Sequence, residues 1–220
     1  MSQPSDRGAE IEAPGKVDSS LGEFWVQNPW DIPREGHNLS AYERNRVYLN
    51  VAGPDGRDFI DVSYLSGADS DGDGRSVIAG DLRNNGQLDL LFRQVGGGPF
   101  LLYENNLPKR HYLEVSLRGT KSNRLGIGAR LVATVAGRQL VREQYPHNTY
   151  RSQMPNIVHF GLADDTQVDR LVIKWPSGVE QELKNLKGDR HIVVEEGSAE
   201  VETVVPGKLI GNPSRDRTAR

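Results

Sequence analysis

Hydrophobic and polar residues alternate along the middle of the chain. Leu113, Val115 and Leu117 are interleaved with Glu114, Ser116 and Arg118, and Leu131, Ala133 and Val135 with Arg130, Val132 and Thr134. Leu171, Ile173 and Trp175 alternate around Val172 and Lys174, and Val179, Gln181 and Leu183 alternate with Glu180, Glu182 and Lys184. Successive side chains of a strand point to opposite faces, so each run predicts a half-buried strand. Turn formers separate the runs: Ala136-Gly137, Pro176-Ser177-Gly178 and Lys187-Gly188-Asp189. Pro176 presets the φ of a turn's second position, which predicts a tight hairpin connection from Trp175 to Val179. No window carries an apolar stripe at helical spacing. The pattern predicts an all-β protein, mostly antiparallel.

The texture changes along the chain. Residues 109–199 hold the regular alternation and predict an antiparallel β-sandwich-like domain. Residues 38–108 are rich in Asp, Asn and Gly around Asp69 to Asp89, and Asn105 to Pro108 reads as the junction between the two units. Residues 1–37 read as a largely disordered arm and residues 200–220 as a tail. The arm contains Trp25 and Trp30, which suit either an anchor onto a partner or a strap across the protein's own core.

Composition narrows the function classes. The hydrophobic fraction is 36 % and the mean hydropathy −0.58, so a core is expected in the middle of the chain rather than along all of it. A net charge of −3 provides no basic field for nucleic acid. No apolar run approaches the ~20 residues of a membrane helix, and Met1 to Gly22 shows no signal peptide. The absence of cysteine excludes disulfides, thiolate nucleophiles and thiolate metal sites, and leaves the compartment open.

Four stretches carry chemistry-bearing residues. Asp81, Asn85, Gln87 and Asp89 place oxygen side chains at intervals round Gly86, as a calcium loop of about six to eight oxygens requires. Arg83 stands at a ligand position, and a guanidinium donates but does not ligate. The stretch therefore reads either as a calcium loop or as an Asp–Gly turn in which Arg83 takes the cation's place and bridges Asp81 and Asp89. Asp69, Asp71 and Asp73 open like an EF-hand, but Gly80 stands where the bidentate Glu belongs, which leaves a loose cation site or a solvated acidic turn. Asn123 to Ala129 has two glycines but lacks the third of a phosphate loop, and a strand follows instead of a helix. Ser152, His159 and Asp164 spell a hydrolase triad on paper without the sharp strand-to-helix elbow that such a serine needs, and a buried polar network through His159 and Gln153 is the competing reading. Asn38-Leu39-Ser40 is a glycosylation sequon.

These stretches also carry a resemblance. Asn123-Arg124-Leu-Gly126-Ile-Gly128, Arg142-Glu143, Tyr150-Arg-Ser152-Gln153, His159-Phe160-Gly161-Leu and Trp175-Pro176-Ser-Gly178 resemble the ASPIC/UnbV domain of bacterial secreted proteins and cartilage acidic protein-like proteins. Upstream, Asn45 to Asn50, Phe59 to Ser63 and Asp81 to Asp89 resemble FG-GAP/VCBS repeats, the calcium-binding blades of β-propellers. The resemblance implies extracytoplasmic residence, a binding or adhesion role, calcium-supported blades and no established catalytic residues. Ala163 departs from the pattern, standing where a glycine often ends the Phe-Gly-Leu motif. A propeller needs several four-stranded blades, so residues 38–108 are expected to form a partial propeller-type blade. The leading expectation is a non-catalytic module for a protein or carbohydrate ligand. The alternatives are an accessory subunit whose incomplete blade docks on a partner or self-associates, and a hydrolase using Glu143, His159 and Ser152.

Overall fold

The computed structural model describes Ser20 and residues 44–51, 58–72, 74–94, 99–147, 149–150 and 152–205. Trp25, Trp30, Asp73, the sequon and the readings of disordered ends before residue 44 and after residue 205 lie outside the described residues, Ser20 excepted. The chain divides into two units, residues 1–77 with 91–103 and residues 78–90 with 104–220.

In the first unit, β1 (Tyr48–Val51) and β2 (Asp58–Asp61) pair antiparallel. A four-residue helix, α1 (Ser63–Ser66), follows and ends at Gly67, whose φ of 68° is the left-handed conformation that glycine adopts without penalty. Buried Ser63 ties the helix start to the hairpin, accepting the Val47 N–H at 2.8 Å and lying 2.5 Å from Asp61 Oδ1. Three further strands, β3 (Gly74–Gly80), β4 (Asp89–Gln94) and β5 (Leu101–Tyr103), form a sheet in the order β3-β4-β5, of which residues 74–77, 91–94 and 101–103 belong to this unit.

The second unit is a β-sandwich, as the alternation predicted. Its strands are β6 (His111–Arg118), β7 (Arg130–Val135), β8 (Arg138–Glu143), β9 (Val158–Ala163), β10 (Gln167–Lys174), β11 (Glu180–Lys187), β12 (Arg190–Glu195) and β13 (Val201–Thr203). One sheet has the order β11-β10-β7-β8 and the other β13-β12-β6-β9. Every pairing within them is antiparallel except β6 with β12, which run parallel. The inward residues Leu113, Val115, Leu131, Phe160, Leu171, Ile173, Ile192 and Val194 are fully buried in one core. Leu113, Val115, Leu131, Leu171 and Ile173 are alternating positions read from the sequence, because only one face of each strand can reach the opposing sheet, and Phe160, Ile192 and Val194 join them from β9 and β12.

The turns follow their chemistry. Trp175 N–H donates to Val179 O and Gly178 N–H to Trp175 O, both at 2.9 Å, with Gly178 at φ 88°. This is the hairpin that Pro176 predicted. Ala136-Gly137 joins β7 to β8 as a two-residue turn with both φ positive, the geometry that matches strand twist. Two boundaries differ from the sequence reading. Val201–Thr203 pairs with β12 as an edge strand, so the sandwich runs past residue 199. Residues 78–90 group with the sandwich rather than with the segment upstream of Pro108, because their loop packs on β6 and β9.

Candidate functional site

The Asp81–Asp89 loop folds round its own side chains. The Asp81 carboxylate accepts the N–H groups of Asn85 at 3.0 Å and Gly86 at 2.6 Å, and Asn85 Oδ1 accepts the Gln87 N–H at 2.9 Å. Gln87 Nε2 donates to Leu107 O at 2.7 Å. Gly86 has a φ of 85°, and a Cβ there would meet the Tyr112 ring at 2.1 Å, so this position requires glycine. Its carbonyl lies 3.0 Å from His159 Nε2, and the His159 ring stacks parallel to Tyr112 at 5.9 Å. His159 therefore anchors the loop rather than pairing with Gln153, which bonds His147 instead.

Arg83 fills the position from which a cation would be held. Its Nη2 donates to Asp89 Oδ1 at 2.8 Å and to Asn105 O at 2.9 Å, its Nε lies 3.3 Å from Asp89 Oδ2, and its Nη1 lies 3.7 Å from Glu104. It does not bridge to Asp81, whose oxygens are taken by backbone N–H groups. Burial alone would raise the Asp89 pKa, but the Asn105 N–H and the Arg83 guanidinium hold it below the ordinary value. With a guanidinium on the Asp89 carboxylate, Asp81, Asn85, Gln87 and Asp89 do not fit a calcium ion. In the other acidic stretch, Asp69 is ion-paired with Arg44 at 2.9 Å, and Asp71 is exposed.

The sheet face under this loop carries a row of ionisable groups, of which the alternation of β6 implied a solvent-facing Glu114. The register sets Glu114 on β6 opposite His159 on β9 and His191 on β12. Glu114 is buried, and burial together with the Asp81 charge pushes its pKa up to about 7. Burial pushes the pKa of His159 and of His191 down. His191 Nε2 lies 2.8 Å from the Ser116 hydroxyl. The row therefore favours neutral groups throughout.

The motif residues at the other end of the sandwich hold loops together. Asn123 clamps its own loop, donating from Nδ2 to Ile127 O and accepting the Ile127 N–H at Oδ1. Gly126, at φ 63°, lets this loop lie against Leu117 and Trp175, since a Cβ would meet Leu117 Cδ1 at 2.7 Å. Gly128, at φ 94°, donates its N–H to Gln144 O. Trp175 Nε1–H donates at 2.9 Å to buried Gln181, whose amide also bonds Gly197, Glu195 and Ser198. Sequence reasoning missed the hub beside it. Glu196 Oε2 accepts the N–H groups of Thr120, Lys121 and Ser122, and its Oε1 accepts the hydroxyls of Ser122 and Ser177. Burial raises the Glu196 pKa, but these five hydrogen bonds win and hold it at about 2. The signal was there as Gly119-Thr120-Lys121-Ser122-Asn123, a polar turn-forming run that suits backbone amides wrapping an anion.

The remaining motif residues lie on β8, β9 and the loop between them. Arg142 donates from Nε to His159 O at 3.3 Å, and its guanidinium sits 5.7 Å over the buried Phe160 ring. Glu143 lies 3.8 Å from Arg130. Gly161 is exposed on β9 with open space where a Cβ would stand, and Arg124 sits in the Asn123 loop. Tyr145 and Tyr150 keep 56 % and 52 % of their surface exposed. His147 packs edge-on to Tyr145 at 6.5 Å and lies 3.2 Å from Gln153 Nε2. The drawn triad is not brought together: Ser152 bonds Thr149, His159 bonds Gly86 O, and Asp164 pairs with Arg110.

Comparison with known families agrees with this arrangement. Residues 119–201 match the family described as ASPIC and UnbV, a β domain that is not a known catalytic family. The match spans the Asn123 loop, the exposed tyrosine loop and the Glu196 hub, and does not reach residues 38–108. No curated protein matches the chain at a significant level.

Proposed function

We propose that this chain is a non-catalytic binding module of an exported protein, with the loop between β8 and β9 as its recognition surface. The observation that carries the reading is the exposure of Tyr145, packed edge-on to His147 with Gln153 next to it, together with the exposure of Tyr150 in the same loop. Tyrosine presents a large rigid face with a hydrogen-bonding tip, so it gains contact area at little entropic cost. An imidazole and an amide alongside supply the directional bonds that a sugar hydroxyl or a peptide group would take. The separate engagement of Ser152, His159, Asp164 and Glu143 favours binding over hydrolysis. The extracytoplasmic setting rests on the resemblance to secreted ASPIC/UnbV proteins. The test is binding of the labelled chain to panels of glycans and extracellular matrix proteins. Tyr145→Ala combined with Tyr150→Ala is expected to weaken the strongest binding at least tenfold, which is about 1.4 kcal/mol, in a variant that still unfolds cooperatively. Binding unchanged in that variant would place recognition elsewhere.

A second reading, docking or self-association, is favoured in the first unit. Phe59, Ile60, Tyr64 and Leu65 are all more than half exposed on and beside the β1–β2 hairpin, in the segment whose sequence resembles a propeller blade. Light scattering tests self-association, and a strictly monomeric chain that captures no partner removes this reading.

A further inference from the structure

The buried carboxylate of Asp89 poses a question of charge balance. Its side chain is 1 % exposed, and an ionised carboxylate in such a place requires a compensating cation. An oxygen-lined loop of this spacing ordinarily receives that charge from a hard dication. Here every group that Arg83 meets is an oxygen acceptor: both oxygens of Asp89, the Asn105 carbonyl and Glu104. Two carboxylates and a backbone carbonyl are also what calcium selects, and the guanidinium meets the same set by donating to Asp89 and Asn105 and ion-pairing with Glu104. Gly86, at the bend of the loop, meanwhile sits against Tyr112 and His159, so the folded shape of the loop is what seats it on the sheet.

We propose that Arg83 is the resident cation of the Asp81–Asp89 loop, so that the loop keeps its shape without calcium, and that removing the guanidinium converts the loop into a calcium site. Arginine keeps its charge at every accessible pH and cannot be chelated away, so the loop is indifferent to the calcium concentration around it. Replacing Arg83 with Asp adds a carboxylate between Asp81 and Asn85, and each Asp81 oxygen, though it accepts one backbone N–H, keeps a second lone pair to join residue 83, Asn85 and Asp89 round a cation at the Gly86 bend.

The test is thermal unfolding of the full chain in chelator and in millimolar calcium, with terbium luminescence as a direct readout of site occupancy. The unsubstituted chain is expected to show the same Tm in both and no terbium signal. Arg83→Asp is expected to lose stability in chelator and to gain at least about 4 °C on adding calcium, with terbium bound. Arg83→Asn, which adds an oxygen without a further charge, is the companion variant in case Asp at this position leaves the chain unfolded in chelator. A calcium-dependent rise in the Tm of the unsubstituted chain overturns the proposal. So does a failure of calcium to stabilise both variants, whether or not they fold without it.

Discussion

Ala163 has a φ of 58°, and Asp165 N–H reaches back to Leu162 O, so this alanine bends the chain in a conformation that suits glycine. In the sequence it stood out as a departure from a motif that often has glycine there, and the geometry supplies the reason. A Cβ in the left-handed region costs on the order of 1 kcal/mol, and the added freedom of glycine in the unfolded chain returns part of that. Ala163→Gly is therefore expected to stabilise the domain by roughly 0.5 kcal/mol, read as a higher urea midpoint at unchanged slope. Arg83 shows a different limit of legibility. Its residue type announced that the Asp81 loop was no ordinary calcium loop, but the carboxylate it reaches is Asp89 and not Asp81. Spacing says which residues share a loop; it does not say which oxygens the backbone has already claimed.

Strand patterning found β6, β7, β10 and β11 because their inward faces are apolar apart from Gln181 of β11, and it found the turns because Pro176, Gly178 and Gly137 are needed where they stand. It treated the other face of β6 as solvated, and there the sheet overrides the pattern. Glu114 is covered between β9 and β12, and no local sequence feature encodes what lies above a sheet. The consequence is measurable. The folded pKa of Glu114 lies above its unfolded value, so the favourable contribution is complete below about pH 4.5 and is lost as pH rises through about 7. His159 and His191, with folded pKa values below the ordinary one, act the other way and cost stability as pH falls below about 6.5. Glu114→Gln cancels only the first effect. It is expected to be more stable than the parent by about 1–3 kcal/mol at pH 8 and equal to it near pH 4, measured by urea unfolding across that range.

At the scale of the sandwich unit, the matched family motif reads as a fastening. Asn123, Gly126, Gly128, Trp175 and Gly178 position loops, and Glu196 closes them by taking five hydrogen bonds from residues far from it in sequence. The folded pKa of Glu196 is held at about 2, so its stabilisation is complete above about pH 4.5 and is lost as pH falls towards 2. Glu196→Ala is expected to lower Tm at neutral pH and to flatten the fall in stability between pH 4.5 and 2. An unchanged acid limb in the variant would show that other carboxylates govern it.

The parallel pairing of β6 with β12 also has a consequence in time. Ser116 and His191, which touch across that pair, are 75 positions apart in the chain, and the Glu196 hub joins residues separated by a similar span. A central strand, β6, thus waits for nearly the whole domain to leave the ribosome before its parallel neighbour β12 exists, although β9 on its other edge is made earlier. Until then β6 offers one unpaired edge, and closing so long a loop costs entropy before any contact returns it. Folding of this unit is accordingly expected to be limited by this long-range closure rather than by any local hairpin, and a stopped-flow refolding rate typical of a purely local hairpin fold would contradict that.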